Sequence, residues 1–148
     1  MADRTGAPVR DMVSQSSWKC SQTFPARPDQ IPQSRAFIAR VLMDCDLAEN
    51  ALLIVSELCT NAVLHSNSGQ PDGHFTVRAE ARDGDYLWIE VEDQGGHWAD
   101  RQRSPEGGRG LGIVTALADY WEVRGDATAR VVCARLDWPT PVRDTTRR

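Results

Sequence analysis

Three short segments hold residues whose types and spacing suit chemistry. The first is Glu57-Leu58-Cys59-Thr60-Asn61-Ala62-Val63-Leu64-His65. Residues four apart share one face of a helix, so Glu57, Asn61 and His65 line up if this stretch is helical. A carboxylate one turn from an amide suits work on magnesium-bound phosphate. The Asn61 carbonyl oxygen can complete an octahedral Mg²⁺ shell made otherwise of phosphate oxygens and water. Glu57 can then orient or deprotonate an attacking water or hydroxyl. The polar face of any amphipathic helix gives the same pattern, so this segment decides nothing alone.

The second segment is Val91-Glu92-Asp93-Gln94-Gly95-Gly96. A strand ending in Asp and then glycines turns a carboxylate toward a pocket and lets the backbone pass close beneath a ligand. Such an aspartate can accept a hydrogen bond from an exocyclic amine like that of adenine, although an Asp-x-Gly turn after a strand is also common. The third is Gly107-Gly108-Arg109-Gly110-Leu111-Gly112-Ile113-Val114, a glycine-rich turn opening an apolar helical pattern. Free N–H groups and the dipole at a helix start make an anion site suited to phosphate, with Arg109 available for charge-assisted contacts. It is not a Walker A loop, because no Gly-Lys-Ser/Thr follows, and its glycines miss the dinucleotide-binding spacing.

The elements that must position these groups are legible in the hydrophobic periodicity. Ser17 to Phe24 alternates as an edge strand and ends at Pro25. Pro28 and Pro32 bracket a turn before a helix over Gln33 to Met43. Asp46 reads as the N-cap of the next helix, with Glu49 completing a capping box. That helix runs from Leu47 to about His65, buries Leu47, Ala51, Ile54, Val55, Leu58 and Ala62, and stops at Asn67-Ser68-Gly69. Strands over His74 to Ala81 and Tyr86 to Glu92 flank an Asp83-Gly84 hairpin turn. Gln94 to Gly108 reads as a loop, Leu111 to Ala118 as a short helix, and Tyr120 to Arg124 with Ala129 to Asp137 as a last hairpin. This order predicts a two-layer α/β (α+β) sandwich, with helices on one face of a mixed, mainly antiparallel sheet.

Size and composition agree with one such domain. The 148 residues are 41% hydrophobic and 26% charged, with a net charge of −4 that argues against non-specific nucleic-acid binding. No apolar run reaches the length of a membrane-spanning helix, and Met1 to Asp11 lacks the apolar core of a secretory signal, so a cytoplasmic location is expected. The four cysteines are scattered, with no Cys-x-x-Cys pair for zinc, and read as small apolar side chains in a reducing compartment. Residues 1–12 and 140–148 read as tails around a domain over 13–139.

Taken in order, the three segments resemble the N, G1 and G2 boxes of the histidine-kinase-like (Bergerat, GHKL) ATPases, the family of gyrase, histidine kinases and anti-sigma-factor kinases. The spacing from Glu57 to Asp93 to Gly110, the pattern Glu-Leu-x-x-Asn-Ala-x-x-His, and Gln33-Ser34-Arg35-Ala36 before the first helix look most like the anti-sigma-factor serine/threonine kinases. The resemblance covers roughly residues 20 to 138. It implies a Bergerat fold with ATP and Mg²⁺ as cofactors, Glu57 as general base and Asn61 as the metal ligand. It also implies that Asp93 holds the adenine amine over Gly95, while Gly108, Arg109, Gly110, Leu111 and Gly112 shape the phosphate cradle. His97 to Gly107 would be the lid over the nucleotide, with Arg101 and Arg103 reaching phosphate. The partners implied are a sigma factor and a small antagonist protein, and the subgroup often dimerises through the sheet edge and first helix.

Two positions depart from the pattern. His97 stands where Asp-x-Gly-x-Gly has its second glycine, with Gly96 one residue early, and the place of a threonine that supports the adenine aspartate in many relatives reads Ala129-Arg130-Val131. A lost polar partner in a buried carboxylate network weakens ligand binding by about 1–3 kcal/mol. The sequence therefore carries two main functions: a kinase that phosphorylates an antagonist and sequesters a sigma factor, or a non-catalytic module that keeps the fold and acts by contact. A detached histidine-kinase catalytic domain ranks below both.

Overall fold

The computed structural model describes residues 17–43, 45–96 and 109–139. Strand β1 (Ser17–Pro25) leads through a 3-10 turn at Pro28–Gln30 into helix α1 (Ile31–Leu42) and then α2 (Ala48–His65). A second 3-10 turn at Asn67–Gly69 precedes β2 (His74–Arg82) and β3 (Tyr86–Asp93). Helix α3 (Arg109–Leu117), β4 (Tyr120–Gly125) and β5 (Arg130–Asp137) complete the chain. The strands form one sheet in the order β1-β2-β3-β5-β4, and all four described pairings are antiparallel, with no parallel member among them.

Period-two burial selects the inner face of this sheet. Phe75, Val77, Ala79 and Ala81 of β2, Leu87, Ile89 and Val91 of β3, and Val132, Ala134 and Leu136 of β5 are all buried. Against them lies the apolar face of α2, where Leu47, Ala51, Ile54, Val55, Leu58 and Ala62 are buried as their spacing predicts, together with Cys59 and Val63. Ile38 and Leu42 of α1 and Leu111 and Val114 of α3 extend this core. The other face carries no helix among the described residues. It is laced by Arg78 between Glu90 and Glu92 and by Trp88 stacked on Tyr120, contacts that are worth little individually in water. Trp18, Trp121 and Trp138 pack at the margin of the core, and Trp98 lies outside the described residues.

The start of α2 differs from its sequence reading. Asp46 is not the cap: Leu47 is the residue before the helix, with no side-chain cap, and the first helical residue is Ala48. The backbone makes a carboxylate unnecessary here. Ala48 N–H donates to Cys45 O at 3.0 Å, and Ala51 N–H donates to Leu47 O at 3.0 Å, so a tight turn continues into the helix. Leu47 is drawn in because its side chain is buried.

Ser34 belongs to the fold rather than to a site. It is fully buried on α1, its hydroxyl donates to Ile31 O at 2.7 Å, and it faces the Cys59 thiol, which burial pushes up to about 12. Ser34→Ala is expected to cost about 1 kcal/mol, read as a lower urea midpoint at unchanged slope. All four cysteines are free; Cys59 and Cys133 are buried and Cys20 and Cys45 half-buried.

Candidate functional site

The carboxyl end of β3 and the carboxyl end of α2 meet. Asp93 is the last residue of β3 and points to the helix side of the sheet, only 6% exposed. Its Oδ1 accepts the Gly95 N–H at 2.7 Å, so one oxygen closes a tight turn. Burial pushes the Asp93 carboxyl above the usual carboxylate range, an effect opposed by that N–H and by the positive charge of Arg130, and reinforced by Glu92.

The turn after Asp93 is pinned from three directions. From the end of α2, Asn67 N–H donates to Gly95 O at 2.9 Å, and the Ser68 hydroxyl accepts Gln94 N–H at 2.8 Å. From the β4–β5 turn, Ala127 O accepts Gly96 N–H at 2.8 Å. From β5, the Arg130 guanidinium donates to Gly96 O at 2.7 Å. Gly95 and Gly96 have φ of 76° and 109°, and a Cβ on Gly95 would stand 2.1 Å from Ala127 O. No other residue type fits this path. A cavity of about 240 Å³ opens beside it, lined by Asp93, Gln94, His74, Thr76, Glu92, Thr128 and Ala129.

Glu57 and Asn61 are half-buried on α2, one turn apart, and His65 is exposed on its last turn. Helix α2 packs against both β3 and α3 and passes into the 3-10 turn that holds Gly95 and Gln94. The polar line on α2 and the Asp93 turn are thus joined by a hydrogen-bonded connection. Arg109 and Gly110 open α3; behind them Leu111 is buried, and a Cβ on Gly112 would meet no atom within 4 Å. Gly108 and the expected lid, with His97, Arg101 and Arg103, lie outside the described residues.

Four contributors escaped the sequence reading. Asn67 and Ser68 read there only as a helix stop, and a buried serine has no signature in the sequence. Thr128 lines the cavity that Asp93 lines, with its hydroxyl donating to Asp126 Oδ1 at 2.6 Å. Arg130 is 5% exposed and sits directly opposite Asp93 in the β3–β5 register.

Comparison with known proteins identifies the family of the chain. The family described as "Histidine kinase-like ATPase domain" matches residues 24–136. The chain belongs to that family. Among curated members it is 29% identical over 134 residues to the serine-protein kinase RsbW of Bacillus pumilus, covering 76% of this chain and 82% of that one. As a histidine kinase-like ATPase domain it also superposes on solved structures. The RsbU and RsbW domains of Rv1364c from Mycobacterium tuberculosis align with a TM-score of 0.65 at 19% identity, over 83% of this chain and 34% of that longer one. The SiaB-SiaC complex from Pseudomonas aeruginosa aligns at 0.54 and 11% identity, over 88% and 95% of the two chains. These two likenesses establish the fold: helices on one face of a five-stranded antiparallel sheet.

Proposed function

We propose that this histidine kinase-like ATPase domain is an ATP-dependent serine/threonine protein kinase of the anti-sigma-factor type. The observation that carries the reading is the hydrogen-bonded junction of α2 with the Asp93 turn, which sets Glu57 and Asn61 on the element that also anchors Gly95. The residues fit the nucleotide. Asp93 keeps one oxygen outside its turn bond for a purine amine, the two glycines let the turn behind it pack tightly against Ala127 and Asn67, and the start of α3 offers N–H groups to phosphate.

In this reading Asn61 supplies an amide oxygen to Mg²⁺, and Arg109 with the glycines of Gly108 to Gly112 lines the phosphate end. Mg-ATP supplies the phosphoryl group when bound. Glu57 orients an acceptor hydroxyl and takes its proton, while the fixed Asp93 turn holds the base so that the reacting groups stay aligned. The printed name of the Bacillus relative supports a serine on a protein as acceptor, and the partners we assign are an antagonist protein and the sigma factor it competes with. No helix among the described residues is long and apolar enough to cross a membrane.

Calorimetric titration of ATP and ADP, with and without Mg²⁺, tests the site. Asn61→Ala is expected to remove the Mg²⁺-dependent part of ATP binding and spare ADP alone. Asp93→Asn is expected to weaken both nucleotides by about 1–3 kcal/mol, because a buried acceptor is replaced by a group that also donates. Absence of wild-type binding up to millimolar nucleotide would leave the contact-only module as the better account.

A further inference from the structure

We propose that Arg130 is a positioning residue of the nucleotide site, holding the Asp93 turn from the neighbouring strand through its guanidinium on the Gly96 carbonyl. The inference rests on the nucleotide-site reading and concerns a residue that the three sequence boxes do not include.

Three observations converge on it. First, the β3–β5 register sets Arg130 directly across from Asp93, and both side chains belong to the buried, helix-facing side of the sheet. The positions that follow on that side of β5 are Val132, Ala134 and Leu136, so an arginine at its end is out of keeping with a purely structural strand. Taking a guanidinium out of water is costly unless charge and hydrogen bonds compensate it. Second, its fork donates to Gly96 O at 2.7 Å, the carbonyl of the second left-handed glycine, which fixes the peptide that ends the turn. Third, it brings positive charge to a carboxylate that burial alone would drive toward its neutral form.

The other groups around Asp93 do not supply that charge. Among the described residues, Glu92 is on its own strand and repels it. His74 of β2 lines the same cavity, and the 3-10 turn after α2 presents the neutral Asn67 and Ser68. Thr128 is engaged elsewhere, its hydroxyl donating to Asp126 Oδ1 at 2.6 Å. The positive charge beside Asp93 is therefore supplied by a cation one strand away, which also holds the Gly96 carbonyl at the end of the glycine turn.

The consequence is a pH signature. An ionised Asp93 accepts the purine amine without competition from its own proton, and the charge of Arg130 keeps it ionised further into acid. The test uses the full chain, ADP as the probe, and calorimetry from pH 5 to pH 8 on the wild type, Arg130→Met and Arg130→Lys. Arg130→Met is expected to weaken ADP by about tenfold at neutral pH and to move the acid limb of binding up by about one pH unit. Arg130→Lys, which keeps the charge but not the fork, is expected to restore the acid limb and only part of the affinity. An Arg130→Met protein with wild-type affinity and an unmoved limb overturns the inference while leaving the nucleotide site standing. A wild type that does not bind ADP overturns both.

Should Arg130→Met not fold, the carboxyl carbon resonance of Asp93 in the unaltered protein gives a second reading. At neutral pH the chemical shift of an ionised carboxylate is expected, and that of a protonated carboxyl shows that Arg130 does not keep Asp93 charged and overturns the inference.

Discussion

Glu57→Gln is expected to lower phosphoryl transfer by about 10²–10⁴-fold while leaving ADP affinity within about twofold of wild type. The substitution keeps the length of the side chain and its place on α2, one turn before Asn61, but removes the carboxylate that accepts the hydroxyl proton. Glu57 is half-buried and lies outside the apolar face of the helix, so the fold does not depend on it. A rate loss without an affinity loss separates a group that acts in the transition state from one that binds nucleotide. Single-turnover transfer from labelled ATP, beside calorimetry on the same variant, measures both. Equal rates for wild type and variant would return Glu57 to the status of a solvated polar side chain.

The second large effect is structural. Gly95→Val is expected to cost about 3 kcal/mol in stability and to abolish nucleotide binding, because strain at a left-handed position alone costs about 1–3 kcal/mol. At this position the added Cβ would also stand 2.1 Å from Ala127 O, which accepts the Gly96 N–H. Either the β4–β5 turn moves away, opening the cavity beside Asp93, or the glycine turn flips and gives up its bond to Asn67. Gly112→Ala is the contrasting variant. A Cβ there meets nothing within 4 Å, and helix propensity favours alanine by about 1 kcal/mol, so the fold is expected to gain stability. If α3 cradles phosphate, the same methyl group weakens ATP. Urea denaturation and ATP titration on the two variants separate these effects: a Gly95→Val protein that melts and binds like wild type would remove the turn from the site.

Most of the strands and helices could be read directly because their signals are local. Alternation from His74 and from Tyr86 marks two strands, the Asp83-Gly84 pair marks their turn, and the apolar stripe from Leu47 to Ala62 marks the long helix; each needs only neighbours a few residues away. Local signals also misled once. Asp46 and Glu49 have the spacing of a capping box, yet the chain enters α2 through backbone bonds from Cys45 and Leu47, since burial of Leu47 in the core outweighs one cap.

What the sequence by itself determined is the set of boxes and their order: Glu57 and Asn61 one helical turn apart, Asp93 before two glycines, and a glycine-rich helix start at Arg109. Only the tertiary structure decided how the middle box is held. Ser68 reaches Gln94 across 26 positions, Arg130 reaches Gly96 across 34, and Asn67 reaches the Gly95 carbonyl after β2 and β3 have intervened. The pairing of β3 with β5 is the physical reason. Its register chooses which residue of a distant strand faces Asp93, and a shift of one residue would put Val131 there and send Arg130 to solvent. No periodicity within either strand carries that choice; it is made where the inner faces of both strands must be buried together against α2.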